Sequence, residues 1–303
     1  MIRRSAPVWA TAAVVAVAVA AIFAQQAPSA PNGAPPAVQQ PAINPHELVR
    51  RAVANEVKSN DDDVSLMFRV RRQTPKGVQT RQYVETAQGT AGMLVAMNDQ
   101  PLTSAQRQQE IARLEQLQRN PAELRRKQKQ QKEDSDRVTR MVQTLPDAFR
   151  YQYEGTQEVN GLQLVRLRFT PNPYFDPPSR EQQVFTGMEG FLLIEPHRAR
   201  IARIDGTLFK DVGFGWGILG HLDRGGRFVV VQGPVANGYW STTHMQLSFT
   251  GKALFFKTIN IQETEDSSDF RRVPGHLTFA QGVEFLKKGH DGVLAENENT
   301  GRK

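Results

Sequence analysis

The sequence predicts an α+β fold: a curved antiparallel sheet of about ten strands, a half-open β-barrel. An N-terminal helix and a helical insertion are expected to cover its concave face. Three observations carry this. From Glu189 to Thr264, apolar and polar residues alternate while Gly, Asn, Asp and Pro recur as punctuation, the signature of an antiparallel meander. A helix-start signal, Asn44-Pro45-His46-Glu47, precedes the first strand pattern. Between Thr103 and Leu145 the two-residue period gives way to a highly charged helical stretch.

The chain has 303 residues. Arg3 and Arg4 precede an uncharged apolar run from Ala6 to Ala24. This reads as a secretory signal ending near Ala24, or as an uncleaved anchor of the same polarity. Either reading exports the chain beyond Gln25 to the periplasm or cell envelope. Residues 25–43, rich in Pro, Ala and Gln, read as a disordered linker. Residues 44–289 are expected to form one domain carrying the insertion 103–145, and 290–303 a flexible tail. There is no cysteine, so disulfides, thiolate metal sites and cysteine nucleophiles are excluded. Setting aside Arg3 and Arg4 leaves 36 basic against 31 acidic residues, a mild excess whose placement matters more than its size.

After the cap at Asn44, Leu48, Val49, Ala52, Val53 and Val57 form one apolar helix face. Val64 to Arg72, Thr80 to Thr86 and Ala91 to Met97 read as strands. In the insertion, Thr103 with Gln106 and Asn120 with Glu123 are helix-start signals, and Ile111, Leu114 and Leu117 make a narrow stripe. From Arg107 to Arg140 there are ten basic and six acidic residues. Arg125, Arg126, Lys127, Lys129 and Lys132 belong either to a solvated face laced with ion pairs or to a surface for anionic membrane or a protein partner. Nucleic acid is not expected, because basic and aromatic residues do not interleave.

Phe149 to Glu154 and Leu162 to Phe169 flank a hairpin signal at Asn160-Gly161, with a bulge expected. Thr170 to Arg180 reads as an irregular loop and cavity rim. Asp205-Gly206 resembles a hairpin turn, but Ile204, Leu208, Val212 and Phe214 share a face only if one strand runs straight through it. Arg227 to Gln232, Tyr239 to Phe249 and Ala253 to Glu263 come next as strands, with Thr250-Gly251-Lys252 as the turn between the last two. Leu277 to Lys288 reads as a final helix.

Chemistry-bearing motifs are sparse. Gly215-x-Gly217-x-x-Gly220 matches a dinucleotide fingerprint in spacing, but His221-Leu222-Asp223-Arg224-Gly225-Gly226 cannot continue as the helix such a site needs. The six histidines lack metal-ligand spacing, and neither a cofactor nor a metal is expected. His221 and Asp223 could together polarise a water, though no nucleophile motif accompanies them.

The stretch FLLIEPHRARIARIDGTLFKDVGFGWG, with its turn at Glu195-Pro196, resembles the strand run of the periplasmic outer-membrane lipoprotein-sorting carriers, the LolA-like and LolB-like family. A group of exported bacterial proteins carrying LFKDVGFGWGILGHLDRGGRF and GKALFFKTINIQETEDSSDFRRVP is also similar. The resemblance covers roughly Asn44 to Pro274 and implies a half-open barrel that holds an acyl chain or hydrophobic peptide segment against a helical lid; the function then expected is non-catalytic binding of a lipid, acyl chain or lipidated protein. Phe214, Trp216, Ile218, Leu219, Tyr239, Met245, Leu247 and Phe249 are then the expected ligand lining. Two other functions stay open at this point: an envelope interaction module with a filled core, binding a protein through residues 103–145, and a hydrolase built on His221 and Asp223.

Overall fold

The computed structural model describes residues 43–59, 65–214, 220–253 and 257–288. The signal, the linker, the tail and the expected lining residues Trp216, Ile218 and Leu219 lie outside the described residues. No helix among the described residues is long and apolar enough to cross a membrane.

Helix α1 (Pro45–Ser59) starts where the Glu47 N–H donates to Asn44 Oδ1 at 3.1 Å. Strands β1 (Ser65–Thr74), β2 (Gly77–Thr86), β3 (Gly89–Met97) and the short β4 (Gln100–Pro101) follow. The insertion forms α2 (Ser104–Arg119) and α3 (Pro121–Ala148); Thr103 and Gln106 make a reciprocal capping box, and Asn120 Oδ1 accepts from the Glu123 N–H. Then come β5 (Phe149–Val159), β6 (Leu162–Pro171), β7 (Met188–Glu195), β8 (Arg200–Leu208), β9 (Val212–Phe214), β10 (Gly220–Leu222), β11 (Arg227–Pro234), β12 (Trp240–Ala253) and β13 (Lys257–Val273). Helix α4 spans 279–288.

All thirteen strands join one antiparallel sheet ordered β4-β3-β2-β1-β13-β12-β11-β8-β7-β6-β5, with β10 pairing β12 and β9. The sheet is curved and open, with β5 and the β3–β4 end as its edges. The Asn160-Gly161 turn carries φ of 50° and 76°, the left-handed pair that a two-residue hairpin requires. The bulge expected within Leu162 to Phe169 lies instead on the partner strand β5, where the register shifts between Tyr153 and Gly155.

Two expectations are corrected. The strand through Asp205-Gly206 does run straight, but it stops at Leu208; residues 209–211 bend and β9 pairs β10 instead of extending β8. Thr250-Gly251-Lys252 is not a turn. Thr250, Gly251 and Lys252 pair with Asn260, Ile259 and Thr258 of β13, and Gly251 and Lys252 also pair with β10. Pairing on both sides holds these residues extended, whatever glycine's turn preference. β13 likewise runs past Glu263 to Val273, because β1 supplies its partner there.

Paired residues share a sheet face, so the register defines two cores. On the concave face, α1 (Val49, Ala52) and the end of α3 (Leu145, Ala148) pack with Leu167, Ile194, Ile204 and Leu247. On the opposite face of β2 and β3, Val84, Ala91 and Met93 pack against Leu114 and Leu117 of α2 and Val283 and Leu286 of α4. The insertion therefore divides: α3 lies over the concave face, while α2 covers the other face at the sheet's edge. At about 1.5–3 kcal/mol per fully buried large side chain, both cores are substantial.

The insertion also has a backbone task. β3 is an edge strand, and Thr90, Gly92 and Leu94 turn their peptide groups outward at every second residue. Gln131 of α3 donates to the Thr90 carbonyl and accepts from its N–H, both at 3.2 Å. Arg113 Nη2 donates to the Gly92 carbonyl at 3.0 Å, and Glu110 Oε1 accepts from the Leu94 N–H at 2.8 Å. Side chains thus take the place of a neighbouring strand, satisfying an edge that would otherwise template aggregation. Burial raises the Glu110 carboxyl pKa, but Arg113, the Leu94 N–H and Arg81 outweigh it and hold the carboxyl below its usual range.

Candidate functional site: an apolar cavity under helix α3

Where α3 crosses the concave face it does not fill it. A cavity of about 520 Å³ remains between helix and sheet, in the size range of ligand pockets. Its roof is Val138, Met141, Val142 and Leu145 of α3, spaced at three and four residues. Its floor and walls include Phe149, Phe185, Leu192, Ile204 and Leu222. Gln130, Asp134, Arg137 and Glu181 form a charged rim, where Arg137 lies 3.2 Å from Asp134 and 3.9 Å from Glu181.

The register shows which residues share the sheet face under α3. One cross-strand row on the concave face reads Tyr151, Phe169, Gly190, Gly206, Phe228, Leu247, Glu263. Two glycines sit side by side at its centre, and neither lines the cavity. A Cβ on Gly190 would stand 1.9 Å from the Asp205 carbonyl oxygen, and one on Gly206 would meet Met188 Sδ at 2.9 Å. Neighbouring backbone closes the Gly190 position, and the Met188 and Phe169 side chains close the Gly206 position. Rings pack at steep angles on this face, Phe149 tilted 4.6 Å from Phe169 and edge-to-face 5.3 Å from Phe185 between centroids.

One tether holds the roof to the wall. Tyr151 Oη donates to the Leu145 carbonyl at 2.6 Å, and burial raises the phenol's pKa, with Asp147 adding to the rise. The last turn of α3 is thereby fixed to β5.

Of the described residues expected to line a ligand site, Phe214, Met245, Leu247 and Phe249 face this cavity. Tyr239 does not; it packs with Leu66, Phe68 and Val70 of β1. Its spacing from Met245 would put it on the same face of an unbroken strand. Tyr239 instead precedes β12, at the end of the short helical turn Ala236–Gly238, so strand alternation does not place it. Sequence reading missed Phe149, Phe185, Leu192 and Ile204. The available signal was the apolar stripe at the end of α3, whose partners are distant in sequence.

Arg125, Arg126, Lys127, Lys129 and Lys132 are all exposed on α3. Lys127 lies 3.9 Å from Glu123, Lys129 3.7 Å from Glu133, and Lys132 contacts Asp136. These i,i+4 pairs support the helix by a few tenths of a kcal/mol each.

His221 Nε2 lies 2.9 Å from Asp223 Oδ1, but neither residue lines the cavity. Leu222 between them does, so strand alternation turns His221 outward. The flanks of the glycine-rich stretch, β9 and β10, pair as antiparallel strands, which removes the helix N-terminus a dinucleotide site needs. Among the described residues no cluster of three His, Asp or Glu could hold a metal ion.

No protein-family model and no curated protein matches the sequence. Solved structures do. A DUF1329-family protein from Desulfovibrio piger matches over 78% of this chain and 97% of its own, at 13% identity and a TM-score of 0.32. An outer-membrane lipoprotein-sorting protein domain from Vibrio parahaemolyticus matches over 78% and 97%, at 12% identity and a TM-score of 0.29. A LolA-superfamily protein from Nitrosomonas europaea matches over 77% and 96%, at 12% identity and a TM-score of 0.29. At these identities the chain is similar to these proteins in fold alone.

Proposed function

We propose that this is an exported, non-catalytic carrier that holds the apolar chain of a lipid or lipidated protein in its half-barrel. The observation that carries the reading is the cavity of about 520 Å³ between α3 and the sheet, walled by aliphatic and aromatic side chains. Each methylene moved there from water contributes about 0.8 kcal/mol, so a chain of roughly ten carbons gains useful affinity with no reacting group, less the cost of ordering it. The N-terminal apolar run supports delivery to the periplasm or cell envelope, where such chains need shielding from water. The exposed basic side chains of α3 suit an approach to an anionic membrane surface or a partner protein. The competing picture of an interaction module with a filled core is disfavoured by the unfilled space itself. Displacement of a fluorescent long-chain probe by fatty acids tests the proposal: saturable binding at about one probe per chain is expected, and absence of saturable binding would overturn it.

A further inference from the structure

A second cross-strand row on the concave face changes character along its length. It reads Tyr153, Leu167, Leu192, Ile204, Val230, Met245, Glu265, Arg72. Apolar from β6 to β12, it turns ionic at β13 and β1. The glycine-bearing row ends the same way, with Leu247 opposite Glu263. Met245 and Leu247 line the cavity. Directly opposed residues have Cβ atoms about 5 Å apart, so the two carboxylates begin one strand beyond the cavity wall.

Glu263 and Glu265 are buried, with side chains 9% and 7% exposed, and they share one cation. Arg72 Nη2 lies 2.5 Å from Glu263 Oε2, and its Nε lies 3.5 Å from Glu265 Oε1. Two carboxylates against one guanidinium leave a deficit of one positive charge when both are ionised. The deficit has an address: Glu263 Oε1 is buried without a hydrogen-bond partner, as is Arg72 Nε. Arg72 keeps 41% of its side chain exposed, so the group sits at a rim open to solvent. An anionic head would meet two carboxylates and an already engaged guanidinium. A head with N–H donors and a positive charge would meet the complement it needs.

We infer that Glu263, Glu265 and Arg72 form a head-group subsite for a primary ammonium, so that the preferred ligand is an amphiphile with an apolar chain and an amine head. This rests on the reading of the cavity as a chain-binding site. The other groups bordering Glu265 fit the assignment: Glu263 on its own strand, Arg72 on β1, Tyr83 on β2 and the apolar Met245 on β12. Burial, then the Glu263 charge, and last a hydrogen bond with the Glu263 carboxyl raise the Glu265 pKa to about 7 against the pull of Arg72. An arriving ammonium would favour the ionised form, so uptake of an amine near neutral pH releases a proton.

The test compares dodecylamine with dodecan-1-ol by calorimetry, on the parent chain and on Glu263→Gln/Glu265→Gln, with Glu263→Gln alone as a second variant in case the double one fails to fold. Dodecylamine is expected to bind roughly tenfold tighter than the alcohol, the size of one charge-assisted hydrogen bond. The variants should bring the amine down to the alcohol's affinity and leave the alcohol unchanged. Equal binding of both probes to the parent chain would overturn the inference while leaving the cavity reading intact. A preference for the amine that survives in the variants would overturn it as well, by placing the amine's recognition elsewhere, and water alone would then satisfy Glu263. Failure of both probes to bind would overturn the cavity reading and this inference with it.

Discussion

Replacing Ile204 with phenylalanine directs a ring into the lumen. Ile204 is 6% exposed on β8, opposite Leu192 and Val230, and lines the cavity floor. The ring brings roughly three more carbons and displaces about three ligand methylenes, worth ~2.4 kcal/mol at ~0.8 kcal/mol each. That corresponds to a loss of roughly fifty-fold in affinity. The same substitution in a packed core would strain it by about 1–3 kcal/mol. Here the ring enters empty space, so the thermal midpoint should hold or rise. The assay is probe displacement beside thermal unfolding, both on the purified chain. Unchanged affinity with a lowered midpoint would refute the reasoning, because it would mean that the space beside Ile204 is neither empty in the free protein nor occupied in the complex.

Two further outcomes are expected from the same structure. Gln131→Ala removes both side-chain bonds to Thr90 on the β3 edge and should lower the unfolding free energy by about 1–2 kcal/mol in a denaturant titration, with increased aggregation on heating. Burial raises the Glu85 carboxyl from 4.5 to about 7 while its Oε2 accepts from the Leu66 N–H at 2.9 Å. A raised folded pKa on an acid means that its stabilising contribution is present below the unfolded value and is lost as pH rises through about 7. Stability should therefore decline between about pH 5 and 7.5 in parallel urea titrations, and Glu85→Gln should flatten that decline; an unaltered profile in the variant would assign the slope to other groups, Glu265 first among them.

Features that one short segment determines were legible in the sequence. The caps at Asn44, Thr103 and Asn120 and the Asn160-Gly161 hairpin each rest on a few neighbouring residues, and the structure builds them as read. The passage of the strand through Asp205-Gly206 was legible too, because the apolar phase across it permits only one reading. Thr250-Gly251-Lys252 was misread because its conformation is set by β10 and β13 on either side, and neither pairing leaves a local trace. The strand expected to end at Glu263 runs on to Val273 for a related reason. Its charges are answered by arginines almost two hundred residues earlier in the chain, Arg72 to Glu263 and Glu265 and Arg69 to Asp269 at 3.1 Å. The candidate site was half legible. Phase placed Met245, Leu247 and Phe249 together, whereas Leu192 and Ile204 reach the same cavity through a pairing that only the folded register reveals.

Whether the space under α3 carries an apolar chain is tested most directly by native mass spectrometry of the full chain, purified gently from the cells that produce it. The expected spectrum shows a bound species at one copy per chain, released on activation as an acyl-bearing amphiphile and greatly reduced in Ile204→Phe. A spectrum of the bare polypeptide from the parent chain, unchanged after incubation with a lipid extract of the same cells, would contradict it.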